Sequence, residues 1–208
     1  MENNWIESLE PLMKLYGEKK HPLNYQSRYQ LLVMVILSAQ DSDKHINEIA
    51  PAFFDAYPSI NMLAKAFPED LNRYIGNVRN FGNKSVWLVK LAQIIGEDDK
   101  IPTTLEELTK LPGVGRKSAN VIIRESGGKA QGVIVDLHVV RVAPRIGFAS
   151  GTQPEKIEKQ IMAIVPPNHW NEIGMAISFL GREICRPTNP KCPECVMKTV
   201  CHYYNKIL

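Results

Sequence analysis

Apolar residues recur at three- and four-residue steps along most of this chain. Trp5, Leu9, Leu12, Met13 and Tyr16 form one stripe; Ile46, Ile49, Ala50 and Phe53 a second; Val86, Leu88, Val89, Leu91, Ala92 and Ile95 a third. That spacing lays apolar side chains along one face of a helix. Leu31–Leu37 is apolar without a break and predicts a helix buried on every side. Ser42 stands where the N-cap of the second helix belongs. Further helices are predicted over 104–110, 116–125, 137–143, 154–164 and 169–181. Sustained polar/apolar alternation is absent, and the β-branched pair Ile134-Val135 is too short for a strand. Pro51, Pro58, Pro68, Pro102, Pro112, Gly127-Gly128, Pro144, Gly151 and Pro166-Pro167 separate the segments. Each is expected to end or kink a helix, or to form a turn. The pattern predicts an all-α protein of about ten helices, without low-complexity linkers or internal repeats. Periodicity alone places no domain boundary.

Composition adds little to this picture. At 208 residues, 44% hydrophobic and 23% charged, the chain resembles an ordinary soluble globular protein. No apolar run reaches the roughly 18 residues of a membrane span. Met1–Trp5 is neither basic nor apolar, so no secretory signal and no membrane are expected; the location expected is the cytoplasm, beside the nucleoid in a bacterium. A net charge of +3 says little about partners. The cysteines change the picture. All four lie between 185 and 201, where a disulfide framework would spread them along the chain. Clustering points to a metal. Four thiolates around a cluster core of charge about +2 would lower the sum to about +1, so the placement of charge matters more than its total.

Three constellations carry chemistry. The first is Leu111-Pro112-Gly113-Val114-Gly115-Arg116-Lys117-Ser118-Ala119-Asn120. Two glycines one residue apart permit a tight reversal, and a helix starts at once behind them. The amides of the turn and of the helix start form an anion site suited to a duplex phosphate. Such a cradle reads no base sequence. The second is Val133-Ile134-Val135-Asp136-Leu137-His138. Asp136 precedes a helix, and an N-cap explains it locally. The third is Cys185-x6-Cys192-x2-Cys195-x5-Cys201. Four cysteines suit an iron–sulfur cluster held by four thiolates, or zinc, although a zinc ribbon usually shows two Cys-x-x-Cys knuckles and only one is present.

Residues 111–123 resemble the helix-hairpin-helix of the endonuclease III family of DNA glycosylases, and the likeness runs from about residue 25 to 203. The resemblance implies a two-domain all-α fold: a six-helix barrel over 22–131 with the hairpin, and a second domain from 1–21 and 132–208. The cleft between them would hold DNA. It implies Lys117 as nucleophile and Asp136 as catalytic carboxylate. The positive end of a helix disfavours an ammonium, which suits a lysine that must be neutral to attack. The cysteine spacing is similar to the family's [4Fe–4S] loop, making Cys185, Cys192, Cys195 and Cys201 the ligands of a largely structural cluster. The partner implied is double-stranded DNA containing a damaged base or an abasic site, bound by a monomer. DNA contacts are expected from Gly113, Val114, Gly115 and Arg116 of the hairpin, from Gln40 and Asn80 at the gap left by a flipped base, from His138, and from Arg186 and Lys191 on the cysteine loop.

The chain departs from the family in three places. Asp41 follows Gln40 where a small or hydroxyl residue is usual, Asn80 replaces an apolar wedge, and Leu137 replaces a threonine. These changes surround the expected lesion pocket and put the usual substrate, oxidised pyrimidines, in question. The leading reading is a glycosylase with abasic-site lyase activity. A monofunctional relative would lack Lys117 and carry an extra C-terminal domain, whereas seven residues follow Cys201 here. A non-catalytic DNA-binding iron–sulfur protein would need no Lys117–Asp136 pair.

Overall fold

The computed structural model describes residues 5–207, with side chains from Glu7 to Lys206. The signal-peptide expectation at Met1–Asn4 and the Trp5 side chain of the first stripe lie outside the described residues. The chain divides into two compact units, His21–Gly128 and Met1–Lys20 with Lys129–Leu208. Among the described residues every regular element is helical, and no helix is long and apolar enough to cross a membrane.

In the first unit, α2 (Arg28–Leu37) is the central helix. Tyr29 and all of Leu31–Leu37 are buried, as the unbroken apolar run requires. Ser27 caps it, accepting the Gln30 N–H at 3.2 Å. Around it pack α3 (Asp43–Ala56), α6 (Phe81–Ile95) and α8 (Arg116–Glu125), with α4 (Ile60–Ala64), α5 (Asn72–Ile75) and α7 (Leu105–Leu108) filling the connections. Ser42 caps α3 by accepting the His45 N–H at 3.1 Å. Pro51 does not end α3, which runs through it. One backbone bond is lost, while Ala50 and Phe53 on either side stay buried. The helix expected over 104–110 shrinks to α7. Thr104 caps its start, and the Thr109 hydroxyl bonds back to Leu105 O at 2.8 Å where the helix stops.

In the second unit, α11 (Trp170–Glu183) is the core helix, buried continuously from Ile173 to Gly181. It packs against α1 (Trp5–Tyr16) and α9 (Leu137–Ile146), while α10 (Pro154–Ile164) and α12 (His202–Ile207) pack on α9. α9 passes its expected end at 143 and continues through Pro144, because Ala143 and Ile146 complete its buried face. The extended segment Val133–Val135 leads into α9 and lies directly on α11. A Cβ on Gly174 would sit 2.3 Å from Ile134 O, so only glycine admits this contact. Replacing Gly174 by Ala is therefore expected to cost about 1–3 kcal/mol through overpacking, read as a lower urea midpoint.

Candidate active site and metal centre

The hairpin joins α7 to α8 in the His21–Gly128 unit. Gly113 has φ +79°, and a Cβ there would meet the Trp87 ring at 2.9 Å. Left-handed backbone and close packing both select glycine. Val114 donates its N–H to Leu111 O at 3.2 Å and buries its side chain. Gly115 and Arg116 are exposed. Gly115 caps α8 without a side-chain bond, and Lys117 follows as the second residue of the helix, half-buried.

Asp136 lies in the other unit and is held at both oxygens. Oδ1 accepts the N–H groups of His138 and Val139, each at 2.9 Å, which makes Asp136 the N-cap of α9. Oδ2 accepts the hydroxyl of Ser178 at 2.6 Å and lies 3.9 Å from the Arg182 guanidinium. Its side chain keeps 11% exposure. These three bonds leave the carboxylate one orientation. Ser178 is fully buried within the apolar run of α11. Sequence reasoning missed it, although a lone hydroxyl between Ile177 and Phe179 is a signal that it serves a buried partner.

Gln40 and Asn80 are exposed, and both adopt left-handed backbone with φ of +63° and +60°. Asparagine tolerates this; for glutamine it costs roughly 1–2 kcal/mol. Asp41, unexpected beside DNA, turns inward with 13% side-chain exposure. Its Oδ1 accepts the Ser42 N–H at 2.7 Å and meets His45 Nδ1 at 2.9 Å, and its Oδ2 accepts the Arg79 N–H at 3.0 Å. Burial pushes this carboxyl up, but the hydrogen bonds from Arg79, His45 and Ser42 outweigh it and hold the group below the ordinary carboxylate range.

The four cysteines line one cavity with Ile146, Leu180, Ile184, Tyr203 and Tyr204. Among the described residues no three His, Cys, Asp or Glu side chains converge as a single metal ion requires. Burial and then the neighbouring thiols push Cys192 up; burial also pushes Cys195 up, against the pull of the Met197 backbone. Arg145 supplies positive charge, with Nη1 3.5 Å from Cys185 Sγ and 2.8 Å from Arg186 O. Arg141 donates to the carbonyls of Gly181 and Cys185 and lies 3.2 Å from His138 Nδ1. Neither arginine was singled out from sequence, where both resemble ordinary charges on an amphipathic helix. Arg186 and Lys191 are exposed on the loop, Lys191 3.8 Å from Glu194.

Residues 33–167 match the model of the HhH-GPD superfamily of base excision DNA repair proteins. The chain is 38% identical to endonuclease III of Synechocystis sp. over 192 residues, covering 91% of this chain and 88% of the relative. It is 34% identical to endonuclease III of Thermotoga maritima over 192 residues, 90% of each. A solved structure of a trapped endonuclease III–DNA covalent intermediate matches with a TM-score of 0.89 at 30% identity, over 100% of this chain and 99% of that one. Fold and hairpin together define a helix-hairpin-helix base excision repair protein. Within that class the chain belongs to the endonuclease III family, and it is a DNA glycosylase with abasic-site lyase activity.

The Ser178 bond carries a measurable share of stability, because a charge-assisted bond between buried partners is among the stronger ones. Ser178→Ala is expected to lower unfolding free energy by about 1.5–3 kcal/mol at neutral pH, measured by urea unfolding.

Proposed function

We propose that Lys117 is the nucleophile of this enzyme and Asp136 the carboxylate that stabilises positive charge on the sugar. The observation that carries this reading is the place of Lys117, half-buried at the second residue of α8 directly behind the glycine turn, in a chain of this family. The helix N-terminus disfavours its ammonium form. The neutral amine attacks C1′ of the damaged nucleotide. The bond from C1′ to the base breaks, and the base leaves with the electron pair and takes up a proton. Opening of the sugar ring leaves a Schiff base on Lys117. Loss of a proton from C2′ then expels the 3′ phosphate by β-elimination. Asp136, held rigid by its three hydrogen bonds, would stabilise the cation that develops as the base departs.

The partner in this reading is duplex DNA containing a damaged base or an abasic site. Two of the solved relatives are endonuclease III–DNA complexes, one covalent and one non-covalent, which supports it. Gly113, Gly115 and Arg116 would take a phosphate, with His138, Arg186 and Lys191 as further backbone contacts. Gln40 and Asn80 would fill the gap left by the flipped base. The division of the chain at Lys20/His21 and Gly128/Lys129 supports a barrel domain near 22–131 and a second domain built from both ends.

Cys185, Cys192, Cys195 and Cys201 would hold a [4Fe–4S] cluster. Zinc draws four sulfurs to one centre at about 2.3 Å, whereas a cluster brings an iron to each cysteine and keeps the sulfurs apart. The Cys185-x6-Cys192-x2-Cys195-x5-Cys201 spacing, in a chain of this family, supports the second arrangement. When bound, the cluster would cross-link the 185–201 segment.

Borohydride trapping on a duplex with an abasic site tests the lyase. Wild type is expected to form a covalent adduct and Lys117→Ala none; an unchanged adduct with the alanine variant would sink the assignment. Asp136→Asn, which keeps a capping oxygen, is expected to slow base release by roughly 100-fold or more. Metal analysis of protein purified without oxygen is expected to give about four iron and four sulfide per chain, lowered by Cys195→Ser. Zinc in place of iron would overturn the cluster.

A further inference from the structure

The turns that carry Gln40 and Asn80 are tied together in both directions. From the first turn, Asp41 Oδ2 reaches across to accept the Arg79 N–H, immediately before Asn80. From the second, Lys84 reaches back. Its Nζ donates to Leu37 O and Ala39 O, both at 2.7 Å, and so closes the end of α2 just before Gln40. Lys84 is 2% exposed, and such a buried ammonium has few ways to satisfy itself except these carbonyls. His45 Nδ1 lies 2.9 Å from Asp41 Oδ1 and holds that carboxylate from the α3 side.

Left-handed backbone at a residue other than glycine persists only where the surroundings over-determine it. These ties do so for Gln40 and Asn80 together. Asn83 Nδ2 also donates to Asn80 Oδ1 at 2.7 Å. This bond takes one lone pair of the Asn80 carbonyl oxygen, and its NH2 group is a donor. Gln40 beside it carries both a donor and an acceptor.

We infer that Asp41 is a positioning residue that locks the Gln40 and Asn80 turns into one rigid amide probe, and that this probe reads the base opposite the lesion through hydrogen bonds. The inference rests on the proposed contact of these two turns with DNA. An apolar wedge fills a gap without reading its neighbour, whereas fixed amides favour the base whose acceptors and donors meet them. Opposing-base preference then depends on how well the two turns are held, and Asp41 holds them away from the chemistry at Lys117.

The test compares single-turnover cleavage of abasic duplexes carrying A, C, G or T opposite the site, with cleavage of single-stranded abasic DNA as a control. Wild type is expected to spread its duplex rates on the order of tenfold between best and worst opposing base. Gln40→Ala, Asn80→Ala and Asp41→Ala are each expected to shrink that spread several-fold, and Asp41→Ala to leave the single-stranded rate unchanged. Asp41→Asn, which keeps one acceptor, serves if the alanine variant folds poorly, and is expected to fall between. Equal wild-type rates opposite all four bases overturn the inference. Should the Gln40 and Asn80 variants flatten the spread while both Asp41 variants preserve it, the probe stands and the positioning role fails. If the Gln40 and Asn80 variants keep the wild-type spread, the proposed DNA contact of these turns fails, and the inference with it. An equal loss by the Asp41 variants on single-stranded and duplex DNA reduces Asp41 to a stabilising residue.

Discussion

A helix leaves four N–H groups unsatisfied at its start and four carbonyls at its end, and burying such an end without partners is costly. This fold is built of short helices, so it has many ends, and its chemistry sits on them. Asp136 closes the start of α9 with two backbone bonds. Lys84 closes the end of α2 with two more. Arg141 takes the carbonyls at the end of α11, and Arg145 takes those of the loop beyond Cys185. Asp136, Lys84 and Arg141 replace missing helical partners, Arg145 serves loop carbonyls, and each side chain is itself fixed by doing so. A charge held this way cannot swing, and a site made of such groups is organised before any substrate arrives.

The same constraint explains why parts of the structure were legible in the sequence and others were not. α8 and α10 run over the residues that pattern and punctuation indicated, because a glycine turn and a proline mark their starts. α2 was legible as a buried element because seven apolar residues in a row leave no face for solvent. Boundaries failed where packing outvoted punctuation: Pro51 and Pro144 sit inside helices whose buried faces continue past them. α7 failed in the other direction, since Thr109 could bond its own helix and end it. Local sequence holds the rules for starting a helix, but stopping one often depends on a neighbour distant in the chain.

Site residues divide along the same line. The four cysteines are marked by their spacing and Lys117 by the hairpin motif, while a cap explains Asp136 locally and only the family resemblance singles it out. Their supports carry no such mark. Ser178 is 42 positions from Asp136, Lys84 is 45 from Ala39, and Arg145 is 40 from Cys185. Each support reads locally as an unremarkable polar residue, and its partner is revealed only when the chain folds. Asp41 is the clearest case. Taken from the sequence alone it is an anion where DNA is expected, and thus a threat to binding. In the structure its oxygens face His45, Ser42 and Arg79, and the charge is spent inside the protein.

Asp136 and the turns of Gln40 and Asn80 are therefore held by separate networks. Ser178 and the start of α9 hold Asp136 within the unit that contains the cysteines. Asp41 and Lys84 hold the Gln40 and Asn80 turns within the His21–Gly128 unit, where the hairpin has its own support in Gly113 and Trp87. The bonds of the first network end on His138, Val139 and Ser178; those of the second end on Ser42, His45, Arg79, Leu37 and Ala39. Substitutions in distinct networks tend to act independently, while those within one network couple. A chain organised this way can carry an amide at Asn80, with Asp41 to brace its turn, without touching the bonds that hold Asp136.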